Sequence, residues 1–207
     1  MKHLKHSLRR LNLLQLATMA LFTSGIPSLA HAHAVSGEAS GLLHGLAHPI
    51  GGLDHVCAMI GVGLWAAQMG SANGRAVWLA PLTFVTVMAL GGVLGMAAIP
   101  LAYTEQGIVM SLLVLGVLIA AAVRLPLLAS SAIVGVFALC HGYAHGAEMP
   151  QDASGLAYAA GFMLATAMLH ASGIATALFA RSKGRTQWLR IAGAAIALCG
   201  GGIWFAV

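Results

Sequence analysis

The stretch HGLAHPIGGLDH, residues 44–55, sets three histidines and an aspartate between flanks as apolar as a bilayer interior. Of the whole chain, 59% is hydrophobic and 7% charged, with a mean hydropathy of +0.90, far from an ordinary soluble domain. The quoted stretch therefore reads as part of a membrane span, from about 41 to 69, that carries polar groups inside it. Outward from it, apolar runs at about 75–99, 106–123, 125–146, 154–180 and 187–207 bring the count to six spans. Backbone in lipid must satisfy its own hydrogen bonds, and these runs lack the alternation of barrel strands. The expectation is an all-α, polytopic membrane helix bundle of about six transmembrane helices.

Upstream, Lys2, Lys5, Arg9 and Arg10 precede an apolar run from Leu11 to about Phe22, the layout of a secretory signal peptide. Ala30-His31-Ala32 offers a cut before His33, and Ser28-Leu29-Ala30 an earlier one; a retained N-terminal anchor is the alternative. The expected organisation is thus a signal peptide over 1–32 and a six-helix domain over 33–207. Removing the four leader charges leaves six basic residues against five acidic ones, so no nucleic-acid footprint remains. Cys57, Cys140 and Cys199 fall in apolar runs without paired spacing and read as small buried hydrophobes.

With a cleaved leader the mature N-terminus faces the periplasm. Arg75, Arg124, Arg181, Lys183, Arg185 and Arg190 then fall on the cytoplasmic side, as the positive-inside rule expects, and Glu38, Glu105, Glu148 and Asp152 opposite them. Glu105 and Asp152 read as solvated loop charges. Trp65, Trp78, Trp188 and Trp204 lie near span ends, where indoles favour the interface. Gly91, Gly92 and Gly95, and Gly200, Gly201 and Gly202, read as small residues that let helices approach.

Asp54 is the charge set deep in a span, at a cost of about 2.5–3.5 kcal/mol on insertion scales, so it needs a partner or a proton. His55 is adjacent, and His44 and His48 lie earlier on the same span. A second cluster, HGYAHGAE at 141–148, puts His141, His145 and Glu148 at i, i+4 and i+7, along one helix face. HGLAH opens span one and HGYAH closes span four. Since those spans run in opposite directions, both histidine pairs arrive at the same outer depth, which argues for one shared site.

Imidazole and carboxylate without thiolate suit divalent nickel, cobalt or zinc. On a straight helix His48 and His55 would lie about 10 Å apart, too far to share an ion. Pro49, Gly51 and Gly52 stand between them, so span one is expected to break at Pro49–Gly52 and fold its ligands inward. The metal candidates are therefore His48, Asp54, His55, His141, His145 and Glu148. His44, His170 and His33 are accessory candidates: His44 at an outer mouth, His170 alone in span five, and His33 near a new N-terminus that could chelate nickel or copper. Polar groups in spans also hold bundles together by hydrogen bonds, the plainer account of His170.

At these residues the sequence resembles the HupE/UreJ family of nickel and cobalt permeases. That family's HPxxGxDH hallmark is matched in full by His48-Pro49-Ile50-Gly51-Gly52-Leu53-Asp54-His55. Its second signature, FHGxAHGxE, is met by residues 141–148, with Cys140 in place of the phenylalanine. The resemblance implies uptake of Ni²⁺ or Co²⁺ across a bacterial inner membrane, with the metal as cargo, no resident cofactor required, and homo-oligomerisation left open. No GxxxxGK[ST] loop occurs, so the chain itself is not expected to use ATP. The rival readings are an intramembrane zinc-dependent hydrolase, although residues 141–145 lack the glutamate of HExxH, and a haem carrier with axial histidines.

Overall fold

A computed structural model describes residues 38–70, 76–150 and 153–205. The leader reading for 1–32, His33, Arg75 and Asp152 lie outside those residues. Helices dominate the rest: α1 (Glu38–Gly51), α2 (Leu53–Met69), α3 (Ala76–Met96), α4 (Thr104–Ala120), α5 (Leu127–Ala147), α6 (Gly155–Ser182) and α7 (Gln187–Trp204). The chain is a helical membrane bundle.

Helices α3, α5 and α6 are each long and apolar enough to cross a bilayer, and α1 with α2 make a broken span bent by 83°. Of the six expected spans, four are thus long and apolar enough to cross when the broken pair counts as one, and α4 is a shorter apolar helix. Helix α4 has 17 residues and α7 has 18, about 25–27 Å at the helical rise against a hydrocarbon core near 30 Å. Two features shorten them: α4 gives way to a turn before Arg124 and Pro126, and α7 carries Arg190 near its start.

Sequence also explains which helix lies innermost. Nine of the ten residues from Ala58 to Ala67 are buried, so α2 is covered on all sides, as suits a helix apolar all round. Around it the helices join in three close pairs seamed by glycine. A side chain at Gly45 would strike the Tyr158 carbonyl, and one at Gly63 the His170 carbonyl, so α1 and α2 both lie against α6. Gly91 and Gly95 meet the backbone of α5, while Gly142 and Gly146 meet that of α3 at Met88 and Gly92. Gly116, Gly193 and Gly200 join α4 to α7. With no side chain in the way, backbones approach and dispersion contacts accumulate.

The residue pairings fix direction. Contacts advance together along α1–α2 and α6 and along α3 and α5, but in opposite senses along α4 and α7. These are the relative senses that six alternating passes would have. A side chain at Gly201 would barely reach Leu113 and one at Gly202 would meet nothing within 4 Å, so the close approach expected of these glycines falls to Gly200 alone.

Trp78, Trp188 and Trp204 are exposed near helix ends, but Trp65 departs from the interfacial expectation. It is wholly buried, and its indole N–H donates to the Val123 carbonyl at 3.0 Å. Beside it, the free carbonyls at the ends of α2 and α4 receive guanidinium donors: Arg181 Nη1 to Ala67 at 2.7 Å and Arg190 Nε to Ala120 at 2.8 Å. Cations at helix C-termini satisfy both the orphan carbonyls and the helix dipole.

Candidate metal site

The break in the first span builds the site. It falls at Gly52 (φ −99°, ψ 121°), the N-cap of α2, rather than at Pro49, which remains inside α1. A Cβ on Gly52 would stand 2.7 Å from an Asp54 carboxylate oxygen and 3.0 Å from His55 Nδ1. The bare backbone therefore leaves room for both side chains to turn back over the break. Asp54 sits in the first turn of α2, where the helix dipole favours negative charge. Its Oδ1 accepts from the His55 backbone N–H at 2.9 Å and faces His55 Nδ1 at the same distance. Those contacts stabilise the carboxylate that the span encloses.

On the other side, α5 brings His141 and His145 up one face and ends at Glu148. Glu148 Oε2 lies 3.0 Å from His48 Nε2, tying the two sequence motifs together. The imidazoles then form a contiguous group. Ring centroids are 4.9 Å apart for His48 and His145, 4.6 Å for His55 and His145, 4.8 Å for His55 and His141, and 6.4 Å for His48 and His55. Phe162 stacks on His145 at 5.2 Å.

A cavity of about 490 Å³ opens onto this group, lined by His44, His48, Gly52, Asp54, His55, Glu105, Glu148 and Tyr158 among others. Its lining holds three carboxylates and no lysine or arginine, which raises the local concentration of cations. Side-chain exposure falls inward from 57% at Glu148 and 30% at His48 to 12% at His55, and His145 and His141 beyond are fully buried. The geometry is a funnel from acidic mouth to imidazole floor.

Four ring nitrogens on that floor, His55 Nε2, His141 Nδ1 and both of His145, are buried without a hydrogen-bond partner. His141 Nε2 does have one, Ser111 Oγ at 3.0 Å. A buried polar group left unpaired costs on the order of 1–3 kcal/mol, so these four nitrogens need a partner, whether water or a bound ligand. Among the described residues no three histidine, cysteine, aspartate or glutamate side chains are aimed at one point as a ready-made ligand shell. Asp54 and Glu148 are turned to histidines instead, and an entering ion would compete for them.

All six principal candidates are brought together. Of the accessory ones, His44 is exposed, lines the outer cavity and contacts Ser40 at 3.2 Å, in keeping with a mouth. His170 stands apart from the cavity, behind Phe84. Glu105 is exposed, as a solvated charge should be, but it belongs to the first turn of α4 and lines the cavity rather than sitting in a loop. Ser111 and Tyr158 were also missed. Nothing in the local sequence marks them, because each reaches the site through helix pairing.

The family model described as HupE / UreJ protein matches residues 20–203. Over 183 residues the chain is 44% identical to Protein HupE from Rhizobium leguminosarum bv. viciae, covering 88% of this chain and 94% of that one. No solved structure matches.

Proposed function

The chain belongs to the HupE/UreJ family, which is associated with nickel and cobalt transport, and on that footing we propose that it is a permease carrying Ni²⁺ or Co²⁺ inward across the bacterial inner membrane. The observation that carries the reading is the acidic funnel ending in buried, unpartnered imidazole nitrogens. Imidazole and carboxylate are the donors these borderline ions prefer.

In this mechanism the hydrated ion is drawn to Glu148 and Glu105, sheds water against His48 and Asp54, and passes to His55, His145 and His141. The ligands replace part of the hydration shell, and several sites in series keep each one weak enough to release the ion. A divalent ion moving down a membrane potential gains about 2.3 kcal/mol per charge per 100 mV, which is sufficient drive without nucleotide. Under this reading the basic ends of α6 and α7 are cytoplasmic and the mature N-terminus periplasmic.

Uptake of labelled nickel and cobalt into proteoliposomes tests the proposal, with wild type beside Asp54→Asn and His55→Ala. Both variants should lose at least about 90% of the flux, since each removes an interaction made on the path. Wild-type flux no faster than empty vesicles, alongside zinc-dependent hydrolysis of a substrate, would favour the hydrolase instead. Full flux in both variants would remove the proposed site.

A further inference from the structure

Beyond the imidazole floor lies a second polar cluster that the funnel does not use. His170 is 1% exposed, and neither ring nitrogen has a hydrogen-bond partner. The Phe84 ring touches both groups, 5.7 Å from His141 and 5.0 Å from His170. One turn before His170 on α6, the fully buried Thr166 places its hydroxyl 3.2 Å from Met59 Sδ and 3.6 Å from Met88 Sδ.

Three helices converge on this point. Thr166 and His170 are i and i+4 on α6, Phe84 and Met88 are i and i+4 on α3, and Met59 on α2 lies one turn from Gly63, which packs on the His170 carbonyl. The result is a hydroxyl held against two thioethers, with one imidazole a turn further along the same helix, all of them buried. A helical stretch that needed only to pack would be served as well by leucine at 170 and would avoid burying two unsatisfied nitrogens.

We infer that His170, Thr166, Met59 and Met88 form an inner station for the transported divalent ion, joined to the outer site through Phe84. The inference rests on the permease reading. Its chemistry complements the outer site: carboxylates there attract and dehydrate the ion, whereas thioether and hydroxyl ligands here add no charge and hold a borderline ion weakly. A station of that kind lowers the barrier of the apolar interior without becoming a trap.

Co²⁺ supplies the probe. Equilibrium dialysis of the purified full-length protein should find two bound ions, the weaker one missing in His170→Leu. Cobalt X-ray absorption should show sulfur scattering at full loading that disappears in Met59→Leu/Met88→Leu. In proteoliposomes His170→Leu should lower the maximal flux about tenfold while shifting the half-saturating concentration less than about threefold, because capture occurs elsewhere. Should His170→Leu fail to fold, Thr166→Val and the methionine pair carry the test by the same readouts. Two ions and full flux in these variants would overturn the inner station and leave the permease reading intact. Wild-type flux no faster than that of empty vesicles would overturn the permease reading itself.

Discussion

At the scale of single residues, Gly52 has the most specific task. Its missing side chain is the space in which Asp54 and His55 meet, so Gly52→Ala drives a methyl group to 2.7 Å from the carboxylate. Metal uptake in proteoliposomes should fall by about tenfold or more while thermal stability drops only modestly, since φ −99° is open to alanine. Gly51→Ala is the control, because nothing lies within 4 Å of its added carbon, and it should transport normally. Much of this candidate site was legible in the sequence because its residues are local: HPIGGLDH holds both the proposed ligands and the break that gathers them. Glu105 was not legible. A lone glutamate after a turn looks like any surface charge until tertiary packing brings α4 beside the cavity. Trp65 misled for a related reason: proximity to a span end says nothing of whether an indole faces lipid or the Val123 carbonyl.

Among the elements, the pairing of α3 with α5 shows how composition becomes register. A side chain at Gly142 would meet the Met88 carbonyl, and one at Gly146 the Gly92 carbonyl, so the two backbones approach where His141 and His145 must be held. Gly142→Leu should lower the melting temperature measured in detergent, through overpacking of about 1–3 kcal/mol. Gly202→Leu, where the added carbon meets nothing, should leave it unchanged. The glycine runs announced close helix approach, but not which glycines would make it. Gly200 faces Leu112 whereas Gly202 faces open space, and a period of 3.6 residues distributes three consecutive glycines around the helix whatever their neighbours. The shortness of α4 and α7 was hidden likewise, since apolar runs counted through turn residues overstate the helix.

Across the whole molecule, charge and direction agree. The pairings agree with alternating passes, and Arg124, Lys183 and Arg185 follow helices that end opposite the end that carries Glu105 and Glu148. In a variant with Cys57, Cys140 and Cys199 replaced by alanine, Lys183→Cys should react with an impermeant maleimide only in inside-out vesicles. Glu105→Cys should react only in intact spheroplasts, and the reverse pattern would invert the topology. The three glycine-seamed pairs also bear on motion. His48, Asp54 and His55 ride on the body made by α1, α2 and α6, while His141, His145 and Glu148 ride on the one made by α3 and α5. In the proposed mechanism an ion shared between them would be a rivet across a joint: seating it would draw the two bodies together, and losing it would let them part. Selection of the ion and the opening or closing of its route would then be one event, with the passenger itself as the working component.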